Sequence, residues 1–275
     1  MLSKLREKRC IAPLASLAGV ILLVPAIILS GCGGGATTVT EAGSTTVQPV
    51  AEKLANAFMD SYPDVKIIIQ GGGSSTGIKS CNDGTVDIGA ASRELKSSEP
   101  ALVTHLLARD GIAIVTHVSN SVSGLTTEQV RDIYAGNITN WSEVGGDDHD
   151  IVVVAREEGS GTRAAFEELV MEGMLITEDA ILQISNGNVR TAVSTTPYSI
   201  GFLSFGYADS SVKSLAIDGV AGTVENAKNG TYPIVRPLYF LTKEEPTGAV
   251  KNFIEFCLGA EGQDIVEDEG YIRAD

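Results

Sequence analysis

Three short stretches of this 275-residue chain combine glycine with hydroxyl side chains: Gly43-Ser44-Thr45-Thr46, Gly73-Ser74-Ser75-Thr76 and Gly159-Ser160-Gly161-Thr162. A helix pattern follows each of them. The first N–H groups of a helix have no intrahelical acceptor, and the macrodipole places partial positive charge there. Such an end holds an oxyanion without help from a basic residue. Glycine lets the backbone approach closely, and Ser and Thr add hydroxyl donors. Ordinary N-capping explains a single turn of this kind. Three that converge would supply roughly eight to twelve donors, each worth ~1.5–3 kcal/mol toward a charged group. Arg156, just before the third turn, adds a guanidinium fork that fits tetrahedral oxygens. Its competing role is a surface ion pair with Glu157 or Glu158.

The nucleotide motifs fail on spacing. Gly72 and Gly77 have the gap of a phosphate-binding loop, but Ile78 follows, and Lys79-Ser80 comes one place late. Started at Gly71, the dinucleotide pattern needs glycine where Thr76 stands. A free oxyanion is the ligand that these residues suit.

The elements that must position the turns alternate between strand and helix patterns, which argues an α/β fold. Gln48-Pro49-Val50 opens a helix, with Pro where its missing N–H costs nothing, and Val50, Leu54 and Phe58 continue one face. Residues 65–70 read as a buried strand, 76–82 as a short helix and 86–89 as a short strand. Residues 102–108 and 112–118 read as two strands around an Asp110-Gly111 turn. Thr126 and Gln129 form a capping box for a helix that ends at Gly136. Residues 151–155 read as a strand, and 162–171 as a helix with Ala165, Phe166, Leu169 and Val170 inward. Asn186-Gly187-Asn188 is a further helix start at the edge of any cleft, ahead of a helix over 189–194. A strand over 200–204, an extended run over 232–241 and a helix over 249–258, with Phe253 and Cys257 on one face, complete the pattern.

The N-terminus has a different character. Lys4, Arg6, Lys8 and Arg9 precede an apolar stretch that ends in Leu29-Ser30-Gly31-Cys32. A basic start, an apolar middle and small residues describe an export signal, here over 1–31. The last four residues resemble a lipobox, which makes Cys32 the lipid attachment point and 32–38 a flexible spacer. Pro13 and Pro25 argue against a spanning anchor. Cleavage leaves 16 basic against 34 acidic residues, a formal charge of −18. That excludes a nucleic-acid partner, which needs a basic footprint. It also makes anion binding a local matter, because salt screens charge over ~8 Å. Cys81 and Cys257 remain as a candidate disulfide that sequence alone leaves open. His105, His117 and His149 are isolated, and no Cys/His cluster has metal-ligand spacing.

Taken together, "AGSTTVQPV", "GGGSSTGIK", "VDIGAASREL", "NWSEVGG" and "REEGSGTRAAF" resemble the phosphate-binding proteins of phosphate ABC transporters, in the same order and over nearly all of the mature chain. The resemblance implies a two-lobed, type II-like periplasmic-binding-protein fold, with two hinge-crossing strands and the ligand in the cleft. It places residues 39–115 and 240–275 in one lobe and 116–239 in the other. It implies phosphate contacts from Ser44, Thr45, Thr46, Ser74, Ser75, Ser92, Arg156, Ser160, Gly161 and Thr162. It also implies a monomer without cofactor, lipid-anchored outside the cell membrane, that delivers phosphate to permease subunits.

One position departs from the family pattern. Some members carry an aspartate where this chain has Ser92, and that carboxylate accepts the phosphate proton and rejects sulfate. A hydroxyl opposes an unprotonated oxyanion far less than a buried carboxylate does. Glu158 is the candidate substitute acceptor. Arg93 is either a second positive charge or a salt-bridge partner of Glu94. Sulfate, molybdate and tungstate are the alternative ligands. An esterase using Ser74 or Ser160 would need an adjacent base, and no histidine lies near the three turns in sequence.

Overall fold

The computed structural model describes residues 36–274, so the leader and Cys32 lie outside the described residues. The first half alternates β1 (Thr37–Gly43), α1 (Gln48–Ser61), β2 (Val65–Gln70), α2 (Ser74–Asp83) and β3 (Ile88–Ala91). β1 runs parallel to both β2 and β3. The turns that leave β1 and β2 therefore emerge together at one end of the strands, where open α/β sheets bind ligands. α1 buries Val50, Ala51, Leu54, Ala55 and Phe58, a stripe of helical period that packs on the sheet.

The chain then crosses on β4 (Val103–His117) and continues through β5 (Gly124–Leu125), α3 (Thr127–Ala135), β6 (Val152–Arg156), α4 (Gly161–Phe166), β7 (Ile181–Gln183), α5 (Asn186–Thr195) and β8 (Ser199–Ser204). After β9 (Val212–Ser214), β10 (Ala216–Ile217) and α6 (Val224–Lys228) it returns on β11 (Val235–Thr242), to α7 (Gly248–Leu258), α8 (Ala260–Asp268) and β12 (Ile272–Arg273). Along the main sheet the order is β2-β1-β3-β11-β4-β8-β6-β7.

Buried side chains gather into two main cores. One holds Leu54, Phe58, Leu107, Leu238, Phe240 and Phe253, and the other Ile112, Ile114, Trp141, Phe166, Phe202 and Ile234. β4 and β11, antiparallel neighbours, supply side chains to both. The fold is thus two-lobed, with two adjacent crossing strands.

Several expectations need correction. Asp110-Gly111 is not a turn: one strand of 15 residues runs through it. Asp110 pairs across with Arg236, and Gly111 lies so close to the Phe205 ring that a Cβ there would sit 2.2 Å from it. α2 starts at Ser74 rather than Thr76, and the strand after it is displaced to Ile88–Ala91. The helix over 162–171 becomes α4 plus a π-helical turn, Glu167–Met171, which rotates Leu169 outward to 39% exposure. Thr37 and Thr38, expected in the spacer, already belong to β1. α8 had no counterpart in the sequence pattern. Cys81 and Cys257 are free thiols, buried in different clusters.

Candidate anion-binding site

The three turns meet. Each is shaped by its own backbone needs before it faces a ligand. Gly43 has φ 147, and a Cβ there would sit 2.2 Å from the Ala90 carbonyl oxygen. Only glycine lets β1 turn that tightly against β3. Ser44 Oγ accepts from the backbone N–H of Thr46 at 3.1 Å and of Val47 at 3.4 Å, which fixes the first turn ahead of α1. Ser160 caps α4 through the Arg163 N–H at 3.2 Å. The second and third turns touch directly, Ser75 N–H donating to the Gly159 carbonyl at 3.1 Å.

Hydroxyls pack within hydrogen-bonding distance, one pair across the cleft and one within a lobe. Thr46 Oγ1 lies 3.2 Å from Thr162 Oγ1, and Ser74 Oγ lies 3.4 Å from Ser92 Oγ. A Cβ on Gly161 would fall 2.1 Å from Ser74 Oγ and 2.5 Å from Ser92 Oγ. The lobes are therefore shut tightly on one another. The 370 Å³ cavity beside this cluster, which reaches Ser75 and Ser160, is lined by Arg93, Lys96, Arg163, Glu158 and Glu167. That cavity is the less informative feature, since its basic groups are mostly matched by acidic ones.

Arg156 extends from the end of β6 and is 1% exposed. Its Nε donates to the Gln183 carbonyl, and its Nη2 to the Ile184 carbonyl, each at 3.1 Å; Nη2 also reaches Thr45 Oγ1 at 3.4 Å. Its Nη1 is buried with no acceptor among the described residues. Desolvation, and then the like charge of Arg236, lower its pKa to about 10, so it stays cationic at neutral pH. A buried guanidinium donor without a partner is costly unless an anion supplies one.

Arg236 is a second cation buried in this cluster, and sequence reasoning missed it. It sits on β11 opposite Asp110, with Nη2 2.9 Å and Nε 3.2 Å from Asp110 Oδ2. Ser204 Oγ donates to Asp110 Oδ1 at 3.0 Å. Burial raises the Asp110 carboxyl above its ordinary value, and the Arg236 guanidinium offsets only part of that rise. Two guanidinium groups against one carboxylate leave about one net positive charge in the buried cluster, which favours an anion. The available signal was a lone arginine inside an apolar run, since arginine is almost never fully buried unless paired. Asn186, read as a helix start at the edge of a cleft, reaches the cluster and donates to Thr46 Oγ1 at 2.9 Å. Tyr207 and Tyr271, also missed, donate to the carbonyls of Thr45 at 2.8 Å and Thr46 at 2.9 Å.

The structure thus gathers Ser44, Thr45, Thr46, Ser74, Ser92, Arg156, Ser160, Gly161 and Thr162, with Ser75 at the edge. Of the two auxiliary residues, Glu158 stays outside and Arg93 reaches the cluster only through Ser75. Glu158 is exposed and lines the outer cavity. Arg93 is not paired with the Glu94 carboxylate. It grips Glu99 with two bonds of 2.8 and 2.6 Å and donates to Ser75 Oγ at 3.2 Å.

Residues 31–261 match the model of the PBP superfamily domain. The phosphate-binding protein PstS of Bacillus subtilis is 36% identical over 241 residues, covering 86% of this chain and 80% of that one. The chain belongs to the phosphate-binding-protein family. A Clostridium perfringens structure, assigned as a phosphate ABC transporter substrate-binding protein with bound phosphate, superposes with TM-score 0.85 at 45% identity, covering 87% of this chain and all of that one. An ABC-type phosphate transport receptor of Vibrio cholerae gives TM-score 0.73 at 36% identity, over 85% of this chain and 99% of that one. Membership of this family accounts for both the two lobes and the convergence of the turns. No helix among the described residues is long and apolar enough to cross a membrane.

Proposed function

We propose that this member of the family binds inorganic phosphate between its lobes, outside the cytoplasm, and delivers it to the permease subunits of an ABC importer. The observation that carries the reading is the buried, unpartnered Nη1 of Arg156 beside hydroxyls from three glycine turns. Closure of the lobes would shield the anion from water, where each charge-assisted bond counts for more. Ser44, Thr45, Thr46, Ser74, Ser92, Ser160, Gly161 and Thr162 surround the phosphate in this reading, with Ser75 at the rim. In this reading residues 39–115 with 240–275 form one lobe and 116–239 the other, with the changeover inside β4 and β11, where Ile112 and Ile114 join the second core and Leu238 the first. Cys32 carries the lipid, and the protein works as a monomer.

Titration calorimetry with phosphate, repeated in excess sulfate, tests the reading. One-to-one phosphate binding that survives sulfate supports it. Binding abolished by sulfate points instead to a general oxyanion receptor, the reading favoured by Ser92 in place of an aspartate. Absence of phosphate binding overturns both.

A further inference from the structure

Lone pairs and protons can be followed through the buried cluster, and both routes begin at Arg236. Its Nη2 donates to Thr46 Oγ1 at 3.0 Å, and the same oxygen accepts the Asn186 amide at 2.9 Å. The amide is oriented without ambiguity, because Asn186 Oδ1 accepts the Ser204 N–H at 3.2 Å. A hydroxyl oxygen has two acceptor lone pairs, and both on Thr46 are taken. Its own proton must then go to Thr162 Oγ1, 3.2 Å away. Having accepted there, Thr162 has its proton free to donate onward. The other arm is similar. Arg236 Nη1 reaches Ser92 Oγ at 3.4 Å, Ser92 Oγ lies 3.4 Å from Ser74 Oγ, and Ser74 Oγ also accepts the Ser92 N–H at 3.0 Å. With Ser92 donating to it, Ser74 too has both lone pairs filled and one proton to give.

We propose that Arg236, clamped by Asp110, polarises two hydroxyl relays, through Thr46 to Thr162 and through Ser92 to Ser74, so that both terminal hydroxyls turn their protons toward the anion. This rests on the phosphate reading and deepens it: a site of donors takes the oxyanion in its most deprotonated form, here hydrogen phosphate dianion rather than dihydrogen phosphate. Arg236 is a positioning residue and does not touch the ligand in this account. The single fork serves one hydroxyl from each lobe. The charged and titratable groups facing it are Asp110 on β4, Arg156 on β6, and Tyr207 and Tyr271 beyond them. Burial raises both tyrosines, so they stay neutral in the range of the test, and Arg156 stays charged.

The test counts protons. Phosphate binding to the full protein is measured by calorimetry in two buffers of different ionisation enthalpy, at ~pH 6 and ~pH 8, either side of phosphate's second ionisation. The expected result is release of nearly one proton per phosphate at the lower pH and almost none at the higher. Apparent affinity should rise on the order of tenfold between them. Arg236→Lys keeps the charge beside Asp110 but lacks the fork, and should release markedly less at the lower pH. If that variant does not fold, Thr46→Val cuts one relay and should show an intermediate release. Wild-type binding without proton release at the lower pH overturns the proposal. So does an unchanged proton count in a folded Arg236→Lys protein. A wild-type protein that binds no phosphate at either pH fails the underlying reading instead.

Discussion

The cation at position 156 does its work through geometry as much as charge. Two of its nitrogens are spent on the Gln183 and Ile184 carbonyls, which aim the remaining one. Arg156→Lys keeps the charge and loses this fork. We expect phosphate affinity to fall about 10- to 100-fold with little change in melting temperature, by calorimetry and thermal melts. Glu41 presents the opposite problem. Both of its carboxyl oxygens are buried without hydrogen-bond partners among the described residues, and desolvation raises its pKa well above the ordinary value. An unfolded glutamate ionises near ~4.3. Above that pH the folded chain still holds the proton and the unfolded chain has lost it, so stability declines as pH rises toward the folded pKa. Glu41→Met should therefore raise the melting temperature at ~pH 7 and give little gain at ~pH 4. An equal gain at both pH values would contradict the buried-acid assignment.

Among the elements, α4 is the most exposed to small changes. Its first residue, Gly161, has no space for a methyl group against Ser74 and Ser92 when the lobes are shut. Gly161→Ala should leave each lobe folded while blocking full closure. The expected signs are at least about tenfold weaker phosphate binding and loss of the compaction on ligand addition that small-angle scattering would detect in the wild type. The contrast between α4 and β11 shows what could be read from the chain beforehand. Glycine-hydroxyl turns are local in sequence, so their donor chemistry was visible at once. The helix capped by Thr126 was equally legible, because its box runs only from Thr126 to Gln129. Asp110 and Arg236 are separated by 126 positions, and their pairing exists only through strand register. Read alone, Asp110-Gly111 has turn chemistry. Opposite a buried guanidinium, it becomes the middle of a strand. Leu169 was misplaced for a similar reason, since the π turn that rotates it has no marker in the apolar spacing.

At the scale of the whole molecule, excess negative charge opposes compactness, and salt relieves that self-repulsion. Added sodium chloride should raise the melting temperature, most steeply at low ionic strength. Phosphate should raise it further by binding the folded state alone. The gain in unfolding free energy should be about 4 kcal/mol when free ligand is 1,000 times its dissociation constant. A melting temperature indifferent to phosphate would contradict a ligand-closed fold. One side chain lets the two cores be followed separately. The sequence has a single tryptophan, Trp141, which is buried in the second core with its Nε1–H on the Tyr198 carbonyl at 2.8 Å. Its emission reports the surroundings of that core, whereas circular dichroism sums over every helix and strand. A gap between the two melting curves would reveal lobes that come apart one after the other, and coincident curves would mark a single cooperative unit.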